Sequence, residues 1–205
     1  MRAITHRDNP ILPISVAGEP PEENHTAWGI PNAGEIVHTL RQAGFPVATA
    51  WSPFESANHW FVIAVARDWR ARTGLTGEQV CRQMADILFA TKAGMGTPKY
   101  LVVNDDIDIT NTREVVWAFA TRNHPGGRGQ LIFNDENTNP LVAYLDDADK
   151  KMLQTTKVVY NCLDPEHLGG KLPRRSSFRH IYPHALQNKI INQWATYGYQ
   201  QGSQP

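Results

Sequence analysis

Two uninterrupted apolar runs, residues 60–66 and 100–103, constrain the fold of this chain more than any other feature of its sequence. Each run is too short to cross a membrane and has the length of a strand that is buried on both faces. Between them, Thr76 and Gln79 form a capping-box pattern, which predicts a helix from Gly77 to near Gly94. Strands that alternate with helices indicate an α/β layered domain with a mixed or parallel sheet flanked by helices.

Further helices are predicted on both sides of this central region. Pro31 and Gly44 favour a helix over residues 31–43, because proline suits a first helical turn and glycine a helix stop. Asn111 and Glu114 can cap another helix, and the domain is expected to end in a carboxyl-terminal helix over residues 184–197. The side chains expected to face inward are Val80, Met84, Ile87 and Leu88 in the helix from Gly77, Val115, Val116, Phe119 and Ala120 after Asn111, and Leu186, Ile190, Ile191 and Trp194 in the last helix.

Weaker patterns complete the outline. Residues 11–16 lie between prolines and predict a strand. Residues 131–133 and 157–162 predict two more strands. Residues 169–180 are basic and begin with two glycines, which favours an irregular loop.

The charge balance excludes some classes of partner. The chain has 205 residues with 20 basic and 20 acidic side chains, so its formal net charge is zero. Without a general positive field, neither nucleic acid nor an anionic membrane is an expected partner. Two cysteines outside any CxxC pair argue against a disulfide framework and a cysteine zinc site. Because the amino terminus has no signal-like apolar stretch, we expect a cytoplasmic location.

Three aspartates follow the run of residues 100–103 and form the densest group of acidic side chains in this region. Asp105, Asp106 and Asp108 lie where a strand should end, and ligand sites of open α/β sheets lie at such carboxyl ends. Carboxylates there can hold Mg²⁺ or Mn²⁺, as in a phosphotransfer domain that would use Asp105 and Asp106. They can also accept hydrogen bonds from turn and helix-cap N–H groups. The second interpretation is favoured, because no phosphate-binding loop accompanies them.

Other charged residues carry little information by themselves. Lys92 precedes a glycine-rich turn and could meet a phosphate, but a lysine near a helix end usually stays in water. An acidic stretch could provide general acid/base catalysis but is more typical of a solvated loop; it contains Glu19, Glu22, Glu23 and His25. The residues alone therefore indicate an α/β domain with a site at the strand ends.

A family resemblance adds a more specific expectation. Residues 104–108 (Asn-Asp-Asp-Ile-Asp) and 114–122 (Glu-Val-Val-Trp-Ala-Phe-Ala-Thr-Arg) resemble the UbiD family of decarboxylases, which use prenylated flavin mononucleotide (prenylated FMN). The resemblance covers nearly the whole chain. Further segments agree in the family's order: 11–13 (Ile-Leu-Pro), 23–26 (Glu-Asn-His-Thr), 53–56 (Pro-Phe-Glu-Ser), 92–94 (Lys-Ala-Gly), 192–194 (Asn-Gln-Trp) and 197–199 (Tyr-Gly-Tyr).

The resemblance also implies that a larger part lies elsewhere. Family members are more than twice this long, so residues 1–205 resemble their carboxyl-terminal domain. Residues 1–20 would be a strand and loop leading in from the flavin-binding amino-terminal half, and residues 185–205 the terminal helix and tail. That half would hold the catalytic arginine and carboxylates and most ligands of the Mn and K ions. No catalytic residue or metal ligand is therefore expected in this chain, and Glu19 and Glu22 are not the catalytic pair.

Five residues match family positions that contact the cofactor or substrate. Lys92 matches a lysine that reaches the cofactor, which reverses its interpretation as a solvated side chain. Trp28 could stack on an aromatic ring, and Asn139 offers a donor and an acceptor to a phenolic hydroxyl. The expected substrate is therefore a hydroxylated aromatic carboxylic acid. The residues expected to line its pocket are Trp28, Gly96, Asn139 and Leu141.

The function implied by the resemblance is non-oxidative decarboxylation. This chain would supply one wall of the active-site cleft and the surface through which homo-oligomers form, and it would be inactive without the flavin-binding half. The aspartates at 105, 106 and 108 and the pair Thr121 and Arg122 would be structural. The alternative is a non-catalytic oligomerisation or scaffold subunit of a split decarboxylase.

Overall fold

The computed structural model describes residue 3 and residues 5–12, 18–165 and 175–199. The chain falls into two compact units, residues 1–170 and residues 171–205. Of the strand predicted over residues 11–16, residues 13–16 lie outside the described residues, and Ile11 and Leu12 are exposed and in no strand. The part of residues 169–180 that can be described, from Arg175 on, contains a helical turn at Phe178–Ile181.

The first unit is built around a mixed five-stranded sheet, which confirms the predicted α/β class. Its strand order is β1-β2-β3-β5-β4. The three inner strands β2, β3 and β5 are parallel, and the two outer strands run antiparallel to their neighbours. The strands are β1 (Val47–Trp51), β2 (Trp60–Val65), β3 (Lys99–Asn104), β4 (Gln130–Asn137) and β5 (Gln154–Cys162).

Helices of the first unit cover both faces of its sheet, whereas the helices that begin at Phe178 and His184 belong to the second unit. No helix among the described residues is long and apolar enough to span a bilayer. Short 3₁₀ turns occur at Phe54–Ser56 and Trp194–Tyr197. The helices are α1 (Glu23–Gln42), α2 (Trp69–Thr73), α3 (Gly77–Phe89), α4 (Lys92–Met95), α5 (Thr112–Arg122), α6 (Asp147–Met152), α7 (Phe178–Ile181) and α8 (His184–Asn192).

The predicted strand over residues 60–66 is confirmed as β2, buried on both faces. Phe61, Ile63 and Val65 point into a core beneath α1 and α3, where Ile36, Leu40, Met84 and Leu88 also lie. Val62 and Ala64 point to the opposite core, which α5 covers with Val115 and Ala118. Alternation of side chains across a strand therefore produces two apolar layers from one continuous run.

The capping box that predicts α3 is present. The Thr76 hydroxyl accepts from the Gln79 N–H at 3.2 Å, and the Gln79 side chain accepts from the Thr76 N–H at 2.9 Å. The helix ends at Phe89, however, and not near Gly94. The Thr91 hydroxyl accepts from the Gly94 N–H at 3.0 Å and so starts the separate turn α4. A side-chain cap of this kind favours a new helix start over continuation.

Helix α1 begins at Glu23, well before the predicted start at residue 31, so that prediction is wrong. Glu22 caps it together with His25, and the buried residues Gly29 and Ala33 lie on both sides of Pro31. Pro31 is thus tolerated inside the helix, because the cap and the buried face outweigh one missing hydrogen bond. The predicted stop is confirmed: Gly44 has a positive φ of 89°.

Two predicted apolar faces need correction. In α5, Val115 and Ala118 are buried, whereas Val116 is 53% exposed and Ala120 is also exposed. The buried positions lie three residues apart, which is the spacing of a narrow helical stripe. In α8, Leu186 and Ile191 are exposed and Gln187 is buried. The Gln187 amide donates to the carbonyls of Tyr182 and Arg179, so its burial is matched by hydrogen bonds.

Candidate functional site

The predicted site residues lie at the edge of the sheet where the parallel strands β2, β3 and β5 begin, which we call the amino edge. Helix α4 ends at Met95, shortly before β3 begins at Lys99. Asn137, the last residue of β4, pairs with Gln154, the first residue of β5. Asn139 therefore follows at the same edge. The strand pattern predicted a site at the opposite edge, where the parallel strands end, and these five residues do not lie there.

Trp28 reaches the amino edge through the first half of α1. The Asn58 amide donates to the Asn24 carbonyl at 3.1 Å, and Asn58 lies just before β2. A Cβ added at Gly29 would lie 2.8 Å from the Asn58 side-chain oxygen, so the glycine permits this close approach. Trp28 is 57% exposed, and α1 packs against α4. Its indole is thus available at this edge.

The loop of residues 138–145 is tied to the same edge by His59. The Nε2 atom of His59 accepts from the Ala143 N–H at 2.9 Å, and its Nδ1 atom lies 2.7 Å from the Ala57 carbonyl oxygen. One ring nitrogen donates and the other accepts, which requires a neutral imidazole with the proton on Nδ1. Sequence reasoning did not identify this tie, because it joins segments 84 residues apart.

Gly96, Asn139 and Leu141 lie next to one another. The side-chain oxygen of Asn139 accepts from the Leu141 N–H at 2.7 Å. A Cβ added at Gly96 would lie 3.1 Å from the Asn139 side-chain nitrogen. The backbone thus uses one of the two lone pairs of the Asn139 oxygen, and its amide N–H groups make no hydrogen bond with the residues that the structure describes. Leu141 is 79% exposed.

Lys92 is the first residue of α4 and is exposed. Its ammonium makes no hydrogen bond or ion pair with the residues that the structure describes. An exposed cation without a protein partner fits the phosphate of a flavin mononucleotide. The described residues offer no comparable site for a metal ion. Within residues 18–165 and 175–199, no group of three or more His, Cys, Asp or Glu side chains is placed to hold one.

A second lysine, Lys157 of β5, lies beneath α4 and was missed by sequence reasoning. It is 1% exposed, and its ammonium donates to the carbonyls of Gly94 (2.7 Å) and Met95 (3.2 Å). Burial lowers the pKa of Lys157 to about 8, against the opposing effect of the Glu136 carboxylate. The signal was available: in the strand predicted over residues 157–162, alternation places Lys157 on the same face as Val159.

At the opposite edge, where the parallel strands end, the three aspartates bind other parts of the protein. We call this the carboxyl edge. Asp106 forms a two-bond pair with Arg122 at 2.6 and 2.9 Å, and Asp105 pairs with Arg67 at 3.2 Å. Asp108 accepts from the N–H and the hydroxyl of Thr110. These contacts are those of capping and ion pairing.

Asp164 is a further buried carboxylate at the carboxyl edge that the sequence did not reveal. It is 5% exposed and accepts from the Trp69 indole at 2.9 Å, the Asn104 amide at 3.1 Å and Arg70 at 3.2 Å. Trp69 and Arg70 are the first two residues of α2, and Asn104 is the last residue of β3. Asp164 therefore holds the ends of separate elements together.

The fold and this edge define an α/β domain with an exposed cation, an exposed indole and a tethered loop at one edge of its sheet. Residues 25–162 match the model of the 3-octaprenyl-4-hydroxybenzoate carboxy-lyase carboxyl-terminal domain. The chain belongs to the UbiD family and corresponds to its carboxyl-terminal domain, as the sequence motifs predicted.

Named relatives agree with this assignment. The chain is 38% identical over 200 residues to pyrrole-2-carboxylic acid decarboxylase of Pseudomonas aeruginosa, covering 97% of this chain and 40% of that protein. It is 32% identical over 201 residues to ferulic acid decarboxylase 1 of Saccharomyces cerevisiae, with the same coverage of 97% and 40%. The chain thus spans about two fifths of the length of these relatives.

A solved structure shows the same fold. The closed form of vanillic acid decarboxylase from Sedimentibacter hydroxybenzoicus superposes with a TM-score of 0.66 at 20% sequence identity. The match covers 96% of this chain and 38% of that one. The mixed sheet with its flanking helices is therefore an arrangement that a larger decarboxylase contains.

Proposed function

We propose that this chain is the carboxyl-terminal part of a decarboxylase that removes CO₂ from an aromatic carboxylic acid with prenylated FMN as cofactor. Family membership and the printed activities of the two relatives support the reaction class. The observation that carries the proposal is the amino edge, where Lys92, Trp28 and Asn139 come from three separate segments and stay exposed or half-buried.

Lys92 is the residue proposed to hold the cofactor. Its ammonium is a mobile point charge, suited to a phosphate that approaches from a partner. The bound flavin would supply the electron sink for loss of CO₂. The flavin-binding amino-terminal half would supply the carboxylates and the Mn and K ligands, and this chain would close one wall of the cleft and exclude water.

The substrate is proposed to be a hydroxylated aromatic acid. Trp28, with more than half of its surface exposed, can cover an aromatic ring. The amide N–H groups of Asn139 bond to no described residue and can donate to a hydroxyl oxygen on the substrate ring, whereas its own oxygen already accepts one bond from the Leu141 N–H. Asn139 is therefore proposed to donate a hydrogen bond to the substrate hydroxyl, whose oxygen accepts it.

The proposal also covers the domain organisation of the chain and its association into oligomers. Residues 1–205 form the carboxyl-terminal domain, in which residues 1–20 lead in from the flavin-binding half and residues 185–205 form the terminal helix and tail. Homo-oligomers are proposed to form through this chain. Exposed apolar side chains in the second unit support such an interface, since exposed apolar surface favours association; they include Ile181, Tyr182, Leu186, Ile191 and Tyr197.

Reconstitution tests the proposal. The chain would be mixed with a matching flavin-binding half and prenylated FMN, and CO₂ release from a hydroxylated aromatic acid would be measured. We expect activity in the mixture and none from the 205 residues alone. A stable complex that releases no CO₂ from any aromatic acid would contradict the proposal and favour the scaffold alternative.

Two variants of the reconstituted enzyme separate the residue roles. Lys92→Met should weaken flavin affinity by roughly tenfold or more, since a charge-assisted hydrogen bond is lost. The exposed Lys151→Met in α6 is the matched control and should not change it. Asn139→Leu should reduce the preference for hydroxylated over unsubstituted acids, whereas the exposed Asn137→Leu should leave the ranking unchanged. An unchanged ranking in Asn139→Leu would refute the role of Asn139.

A further inference from the structure

Helix α4 carries Lys92 and leads directly to Gly96, yet it has only four residues. A helix of this length is not stable by itself, because nucleation is costly and few bonds repay it. At its start the Thr91 hydroxyl accepts from the Gly94 N–H at 3.0 Å. A Cβ at Gly94 would overlap the Leu88 carbonyl, so the turn is pressed against the end of α3. The position of α4 therefore depends on its anchors.

The anchor at the other end of α4 is the ammonium of Lys157. It donates to the Gly94 and Met95 carbonyls, at 2.7 and 3.2 Å, and lies 4.9 Å from the centre of the Phe89 ring. These carbonyls are at the carboxyl end of the turn, where a cation is favoured. The aromatic face adds a second attraction. A buried charge is costly without such partners, so these contacts account for a lysine at this position.

We propose that Lys157 is a positioning residue of the candidate site: its buried ammonium fixes α4 against β5 and thereby places Lys92 and Gly96. The contact is made to backbone carbonyls, so it restrains the turn itself and leaves the Lys92 side chain free for a phosphate. The link from α4 to cofactor binding rests on the proposed function, whereas the anchoring of α4 does not.

Hydrogen exchange of the 205-residue chain tests the anchoring. The Met95 and Thr97 amides report on the turn, because they donate to the carbonyls of Thr91 and Gly94. In Lys157→Met, which keeps a side chain of similar length, protection at these two amides should fall by roughly tenfold, while the Val102 amide in β3 keeps its protection. Lys151→Met, at an exposed site, should change neither. Unchanged protection at Met95 and Thr97 in Lys157→Met would overturn the proposal.

A measurement on the unchanged chain covers the case in which Lys157→Met does not fold. The ammonium protons of Lys157 should exchange with water far more slowly than those of exposed lysines such as Lys151, and nitrogen NMR can resolve them. Exchange as fast as that of Lys151 would show that the hydrogen bonds to α4 are absent, and the proposal would fail.

A double-mutant cycle in the reconstituted enzyme tests the link to Lys92. The affinity for flavin mononucleotide would be measured for Lys157→Met, Lys92→Met and the double variant. If Lys157 acts through Lys92, each single change weakens binding by roughly tenfold and the double variant is no weaker than Lys92→Met alone. Lys157→Arg should restore part of the affinity.

The outcomes separate the two claims. Unchanged affinity in Lys157→Met, or losses that add in the double variant, would overturn the role of Lys157 in placing Lys92. If Lys92→Met binds the flavin normally while Lys157→Met still loses protection at Met95 and Thr97, the cofactor role of Lys92 fails. The anchoring of α4 by Lys157 then stands by itself.

Discussion

The two edges of the sheet differ in how they use their charged groups. At the carboxyl edge, Asp106 and Arg122 pair with both side chains almost fully buried, and Asp164 gathers donors from three other side chains. At the amino edge, Lys92 is exposed and has no partner among the described residues, and Trp28 is 57% exposed. Charges that satisfy one another hold the fold together, whereas groups left open are available to a ligand.

The contacts of the three aspartates agree with the capping interpretation that the sequence favoured. Asp105, Asp106 and Asp108 form the acidic group after β3, yet their contacts are with Arg67, Arg122 and Thr110. The candidate site contains fewer polar groups. A dense group of titratable residues is therefore not by itself evidence of a ligand site, because such groups can satisfy one another within the fold.

The largest expected effect is a loss of stability when the carboxyl edge loses Asp164. Asp164→Ala should lower the free energy of unfolding by about 3 kcal/mol, because Trp69, Asn104 and Arg70 lose a buried acceptor. Denaturant unfolding measures it. The control Asp68→Ala removes only an exposed ion pair with Arg72 and should cost less than about 0.5 kcal/mol. Equal effects of the two changes would contradict the structural role of this edge.

A smaller effect concerns pH and Lys157. Its pKa is about 8 in the folded protein and 10.5 ordinarily. Between these values the unfolded chain binds more protons, so the free energy of unfolding should rise with pH, by about 2 kcal/mol after allowance for partial solvation. Subtracting the pH profile of Lys157→Met isolates this rise from other titrations. A difference profile that is flat or falls from pH 8 to 10.5 would show that burial does not lower this pKa.

The third prediction sharpens the description of the amino edge. Gly96→Ala places a Cβ 3.1 Å from the Asn139 side-chain nitrogen, so that side chain must shift by a few tenths of an ångström. We expect a loss of at most about 1 kcal/mol in stability and a change in the preference of the reconstituted enzyme for hydroxylated acids. Gly34→Ala in α1 meets no atom within 4 Å and is the matched control. The same preference for hydroxylated acids in Gly96→Ala and Gly34→Ala would show that Gly96 does not affect substrate choice.

The smallest expected effect on stability is at the proposed cofactor residue. Lys92→Met should change the free energy of unfolding by less than about 0.5 kcal/mol, because the exposed ammonium makes no hydrogen bond or ion pair with a described residue. Denaturant unfolding of the chain alone gives this value. A loss of 2 kcal/mol or more would mean that Lys92 serves the fold, and the contrast between the two edges would disappear.

Much of the fold was predictable because local chemistry agrees with it. The capping box at Thr76 starts α3, and the continuous apolar run becomes β2 with cores on both faces. Predictions failed where local signals competed. Pro31 suggested a helix start, but the Glu22 cap and a buried face extend α1 past it. Val116 suggested an inward face for α5, but the stripe of Val115 and Ala118 leaves it outside.

The candidate site likewise has a part that the sequence predicted and a part that only the structure shows. Family resemblance named Lys92, Trp28, Gly96, Asn139 and Leu141, and the structure places them at one edge and joins Gly96, Asn139 and Leu141 by contact. The resemblance could not show that the Asn139 oxygen accepts from the Leu141 N–H, or that His59 and Lys157 hold the surrounding turns. These contacts join residues far apart in the chain, and nothing in either local segment reports them.

The sequence by itself determined the α/β class, most strands, the capped start of α3 and the family, because these depend on short-range periodicity, capping and ordered motifs. Only the tertiary structure decided which charges are paired and which remain open. Strand order brings Asp164 to Arg70 and Lys157 to α4 across long stretches of chain. The availability of a charged group depends on those neighbours, and they are set by packing of the whole sheet.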